Sequence, residues 1–114
     1  MVEADDEVRA LARETLDGHG YTVIPAVAPA EALRLAGSHS GRIHLLVTDV
    51  VLPQFSGRGL AERLAPEHRD LRVLYMSGYT VGTGMLEEGT AFLQKSFTPY
   101  TLLLKVREVL DRRT

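Results

Sequence analysis

Cysteine is absent from the 114 residues. That excludes disulfides, thiol nucleophiles and thiolate metal sites together, and it fits a reducing compartment. Long apolar runs are missing as well: none approaches the length that crosses a bilayer, and the first residues are acidic where a secretion signal is basic. There is no surplus of positive charge. Thirteen Lys and Arg against fifteen Asp and Glu leave a formal net charge of -2, so electrostatics give no reason to expect a nucleic-acid or membrane surface. Repeats, low-complexity tracts and Pro/Ser-rich linkers are also lacking. The histidines, His19, His39, His44 and His68, have no metal-ligand spacing and read as incidental. These absences lead to a soluble, cytoplasmic chain forming one domain over residues 1–114, large enough for one continuous core but not for a separate catalytic lobe.

What the sequence does contain is an alternation of short β-branched runs with amphipathic stretches. Val8, Leu11, Ala12, Thr15 and Leu16 recur at helical spacing behind Asp5 and Asp6, which can cap a helix, and Gly18 and Gly20 end it. Tyr21 to Ala26 reads as a strand. Pro29 opens a short helix through Ala32, Leu33 and Leu35 that stops at Gly37. Ile43 to Thr48, ending in Asp49, is nearly continuous in apolar residues, as expected of a central strand covered on both faces. Leu60, Ala61 and Leu64 mark a third helix that finishes before Pro66; Arg72 to Met76 and Ala91 to Gln94 are further strands. Thr98 and Pro99 start a final helix with Leu102, Leu103, Val106, Val109 and Leu110 inward. Strands separated by helices of this length imply right-handed crossovers and a parallel sheet with helices on both faces.

In such sheets ligands bind beyond the carboxyl ends of the strands. Asp49 ends the third strand, Ser77 the fourth and Lys95 the fifth, while Glu3, Asp5 and Asp6 lie where the first strand hands over to its helix. Singly, each has an ordinary explanation as a turn residue, a helix cap or a solvated strand end. Together at one edge they supply a carboxylate nucleophile, acids able to hold Mg2+, and a hydroxyl and an amine for phosphoryl oxygens.

The segments Leu45-Leu46-Val47-Thr48-Asp49-Val50-Val51-Leu52-Pro53 with Gly57, Met76-Ser77-Gly78-Tyr79-Thr80, and Phe92-Leu93-Gln94-Lys95-Ser96-Phe97-Thr98-Pro99 resemble the motifs of receiver domains in two-component signalling. The opening Val2-Glu3-Ala4-Asp5 with Val8-Arg9 is similar to that family's acidic start, and the resemblance extends over essentially the whole chain. It is nearest to receivers attached to, or partnered with, hybrid histidine kinases. The resemblance implies an α/β, flavodoxin-like (βα)5 three-layer sandwich with a parallel sheet of order 2-1-3-4-5. It also implies a phosphoacceptor at Asp49, with Ser77 and Lys95 following the phosphoryl group. Mg2+ would be held by Glu3, Asp5, Asp49 and the Val51 carbonyl, and Phe92 would be the aromatic that changes rotamer. The implied partner is a histidine kinase or phosphotransfer protein, with a homodimer as a further expectation. The reading requires that the Asp49 side chain is not buried against the core and lies within a side chain's reach of Ser77 or Lys95.

Four features depart from the family pattern. Ala4 stands where a second acid usually does, which predicts weak Mg2+ binding and slow phosphorylation. Ser96 follows Lys95 in place of a cis proline, and a non-proline cis bond costs roughly 3 kcal/mol. The interval from Ser77 to Lys95 is short and contains Gly78, Gly82, Gly84 and Gly89, which predicts a short fourth helix. Finally, the first strand is expected to be truncated, the sequence reading as a fragment or a chain with a shifted start, and its central slot to need filling, for example by a neighbouring copy.

Three alternatives compete. A pseudo-receiver, an interaction module that does not use the phosphate, is favoured by Ala4, Ser96 and the short fourth segment. A phosphohydrolase of the haloacid-dehalogenase type would need a general acid two residues after its nucleophile, where this chain has Val51. A flavin-binding module lacks a phosphate cradle. Apart from catalysing its own phosphorylation and dephosphorylation, the chain is not expected to be an enzyme.

Overall fold

A computed structural model describes residues 1–39, 41–50, 56–77, 91–94 and 97–111. Helix α1 (Asp6–Asp17) starts at Asp5, whose carboxylate accepts from the Glu7 and Val8 amides, and it ends at Gly18. Helix α2 (Pro29–Ser38) has proline in its first turn, where an amide hydrogen would have no partner in any case. Helix α3 (Gly57–Leu64) is capped by Ser56, whose hydroxyl accepts from the Gly59 amide at 3.0 Å. Helix α4 (Pro99–Asp111) follows Thr98, whose hydroxyl accepts from the Thr101 amide at 3.2 Å.

Three strands, β1 (Leu45–Asp49), β2 (Arg72–Ser77) and β3 (Phe92–Gln94), pair in parallel in the order β1-β2-β3. On the other side of β1, Val2 bridges both Thr48 and Ala26 in parallel. The order across the molecule is therefore Ala26, Val2, β1, β2, β3, which is the expected 2-1-3-4-5 arrangement with a first strand only a few residues long.

The core has two halves because alternate residues of β1 face opposite ways. Val47, with Leu74, Met76, Ala12, Leu16, Leu102 and Val106, packs between the sheet and the α1/α4 layer. Leu46 packs instead with Val2, Ala26, Ala32, Leu60 and Leu64 toward α2 and α3. Leu102, Val106 and Val109 of α4 are buried and Leu103 and Leu110 partly so, as their spacing predicts. Leu11 of α1 is 41% exposed, so Ala12 and Leu16 carry the inward stripe of that helix.

One expected element differs. Tyr21 to Ala26 is not a strand along its length; only Ala26 forms a bridge. A ladder needs a second backbone alongside, and among the described residues Met1 to Glu3 reaches only the Ile24–Ala26 end of this segment. The carboxyl end of the central slot is thus filled by the chain itself. The expected short fourth helix and the Lys95-Ser96 peptide lie outside the described residues.

Candidate functional site

Asp49 is the last residue of β1, and parallel pairing aligns it with Met76, so that Ser77 is the next residue along β2. On the opposite flank the Asp49 amide donates to the Val2 carbonyl at 3.3 Å, which brings Glu3 to the same level of the neighbouring strand. Glu3, Asp49 and Ser77 therefore share the carboxyl edge of three adjacent strands. Glu3 is fully buried (0% exposed) and Asp49 nearly so (6%).

The low exposure of Asp49 differs from the accessibility that its expected role requires. Asp49 belongs to neither apolar cluster. Its backbone is flanked by Val2 on one side and, on another, by the first turn of α3, where the Gly57 amide donates to the Val50 carbonyl at 2.8 Å. Gly57 has no side chain to keep these segments apart. A Cβ there would overlap the Asp49 carbonyl oxygen and approach Thr48 Cγ2 to 3.0 Å. The buried Thr48 hydroxyl donates to that same Asp49 carbonyl at 3.1 Å.

The acidic opening is organised by local bonds. Glu3 Oε2 accepts from the Asp5 amide at 3.0 Å. Arg9 Nη1 donates to the Glu3 carbonyl at 2.9 Å and Nη2 to Asp6 Oδ1 at 2.5 Å, tying α1 to the end of the first strand. Asp5 commits Oδ1 to capping α1, so its helix-cap reading is realised. Phe92 is half-buried on β3, opposite Tyr75. Lys95 and Val51, the expected cationic partner and carbonyl ligand, lie outside the described residues. Arg9 and Gly57 are the contributors that reading residue by residue missed. The three-residue interval from Asp6 to Arg9 is a signal for the ion pair; Gly57 sits inside a quoted motif, but its close approach appears only in three dimensions.

Glu3 and Asp49 offer hard carboxylate oxygens of the kind Mg2+ takes, and this ion commonly uses one or two carboxylates, completing its shell with water and phosphate oxygens. No group of three or more His, Asp or Glu suited to a metal occurs among the described residues. This donor set fits Mg2+.

The family model for the response regulator receiver domain matches residues 1–107. The chain belongs to that family. Among curated proteins, the sensor kinase CckA of Brucella abortus is 31% identical over 117 residues, spanning 99% of this chain but 12% of that protein. The response regulator SaeR of Staphylococcus epidermidis is 22% identical, spanning 98% of this chain and 49% of that protein. The chain thus covers less than half the length of either curated relative. Of solved structures, the receiver domain of the hybrid histidine kinase CckA superposes with a TM-score of 0.82 at 34% identity, covering 96% of this chain and 95% of that one. A CheY-like receiver domain protein from Methanospirillum hungatei gives 0.83 at 25% identity, covering 96% and 90%. The fold is the flavodoxin-like sandwich of receiver domains in two-component systems. No helix among the described residues is long and apolar enough to cross a membrane.

Proposed function

We propose that this receiver domain accepts a phosphoryl group on the Asp49 carboxylate from a histidine kinase or phosphotransfer protein, and that the acyl phosphate controls a partner by shifting a conformational equilibrium. The observation that carries this reading is the common edge of Glu3, Asp49 and Ser77 on adjacent parallel strands. The likeness to the receiver of a hybrid kinase supports the choice of donor.

An Asp49 oxygen attacks phosphorus as the bond to the donor nitrogen breaks, and the leaving imidazole takes up a proton. A carboxylate is a weak nucleophile, so positioning and charge neutralisation carry the step. Mg2+ held by Glu3 and Asp49 would supply neutralisation of the phosphoryl oxygens. Once formed, the acyl phosphate offers acceptors to the Ser77 hydroxyl and the Lys95 ammonium. Their movement frees or fills space beside β3, and Phe92 turns between exposed and buried rotamers. Asp5 acts chiefly as the cap of α1.

The competing reading, a pseudo-receiver, is favoured by Ala4. Incubation with a small phosphodonor and Mg2+, followed by intact mass, separates the two. A phosphoryl adduct on the wild type that disappears in Asp49→Asn is expected; no adduct on the wild type makes the domain a pseudo-receiver.

A further inference from the structure

The backbone pairing between the first strand and Ala26 stops at Glu3. The Ala26 amide donates to the Met1 carbonyl at 2.8 Å and the Glu3 amide to the Ala26 carbonyl at 3.0 Å. A parallel ladder repeats every two residues, so the next bonds would join Ala28 to the Glu3 carbonyl and to the Asp5 amide. Ala28 instead precedes α2, and its carbonyl accepts from the Ala32 amide at 3.1 Å. Side chains take over both bonds. Arg9 Nη1 donates to the Glu3 carbonyl at 2.9 Å, and the Asp5 amide turns to Glu3 Oε2 at 3.0 Å.

Arg9 is packed into this corner. Its side chain is 20% exposed, against 55% for Arg13 one turn later on the same helix. Its amide donates to the Asp5 carbonyl at 2.9 Å in the first turn of α1, and Nη2 reaches Asp6 Oδ1. One planar guanidinium thus spans the strand end and the helix start with donors fixed relative to each other. Glu3 is held at two points, its carbonyl by Arg9 and its carboxylate by the Asp5 amide, and both holds belong to the start of α1. Ala4, between Glu3 and Asp5, has only a methyl group and adds no polar grip.

We propose that Arg9 is the positioning residue that sets the Glu3 carboxylate as a Mg2+ ligand, acting through the Glu3 backbone and not on the ion itself. The inference rests on the phosphoryl-transfer reading for the presence of the metal. Groups that orient a ligand govern affinity nearly as strongly as the ligand does, and the effect is largest where few protein carboxylates share the ion. Lysine at this position keeps the charge but loses the two-donor fork, so Arg9→Lys separates geometry from field.

The test combines Mg2+ calorimetry with amide exchange on the full chain, without a phosphodonor. Arg9→Lys is expected to weaken Mg2+ binding about tenfold, while Arg13→Lys leaves it unchanged. Exchange at the Asp5 amide, which reports its bond to the Glu3 carboxylate, is expected to quicken about tenfold in Arg9→Lys with Leu74 in the middle of β2 unaffected. Unchanged Mg2+ affinity in Arg9→Lys would overturn the proposal, and so would weaker binding with Asp5 exchange unaltered. Equal acceleration at Asp5 and Leu74 would also overturn it, since the loss would then be one of general stability. A wild type that binds no Mg2+ would overturn the metal site itself and this role with it, whereas a wild type matched by Arg9→Lys leaves the site standing and removes only the positioning role.

Discussion

Gly57, the first residue of α3, lies so close to Asp49 that a methyl group on it would overlap the Asp49 carbonyl oxygen. The helix start and the end of the central strand are therefore locked together by the lack of a side chain. Gly57→Ala is expected to cost about 1–3 kcal/mol through overpacking, and to slow phosphoryl uptake by shifting Asp49. Gly37→Ala on α2 meets nothing within 4 Å and is expected to stabilise by up to about 1 kcal/mol. Chemical denaturation of both variants checks this; a Gly57→Ala protein as stable as wild type would show that the contact yields freely.

The buried Met1 ammonium makes stability depend on pH. Its pKa is 8.0 when solvated and about 6 in the folded protein, so between these values the unfolded chain binds more protons. Stability then rises with pH across that window: the penalty is fully present below pH 6 and absent above pH 8, amounting to about 2–3 kcal/mol over the whole range. Histidines titrate in the same region, so the comparison is with the amino-acetylated chain. Unfolding free energies at pH 6 and 8 should differ more for the free amino terminus than for the acetylated one. An identical pH slope for the two would mean that the amino group is solvated.

Asp5 can be tested as cap against ligand. Its Oδ1 accepts from the Glu7 and Val8 amides at 2.9 and 3.1 Å. Asp5→Ala is expected to cost about 1 kcal/mol, and Asp5→Ser, which retains a capping oxygen, only a few tenths. Mg2+ affinity, read by calorimetry, should change little in Asp5→Ser. A large loss of affinity there would restore Asp5 to the metal site.

Ala4 leaves the acidic opening one carboxylate short of the family pattern. Ala4→Asp is expected to tighten Mg2+ binding about tenfold, equivalent to roughly 1.4 kcal/mol from one added charge close to a divalent ion. Unchanged affinity would mean that residue 4, which is exposed, points away from the ion.

Elements set by local chemistry were legible in the sequence. Thr98, Pro29 and the Gly18–Gly20 turn mark helix ends by side-chain and backbone preferences, and the apolar run before Asp49 announces a strand covered on both faces. The common edge followed from topology, since parallel strands present their carboxyl ends together. Features that depend on distant partners were not legible. Tyr21 to Ala26 has strand-like residues, but a ladder exists only where another backbone lies alongside, and Met1 to Glu3 meets just its end. Asp5 could be ligand or cap on spacing alone; coordinates decide which amides its oxygen accepts. The deep burial of Asp49 is a matter of three-dimensional packing, which its place at a strand end does not announce.

The account turns on which oxygen receives the phosphoryl group. Peptide mapping by tandem mass spectrometry after treatment with a small phosphodonor, with and without Mg2+, locates it. The account predicts an acyl phosphate on Asp49 alone, formed only when Mg2+ is present. A phosphoryl group on Glu3 or Asp5, or one that persists in Asp49→Asn, would contradict it.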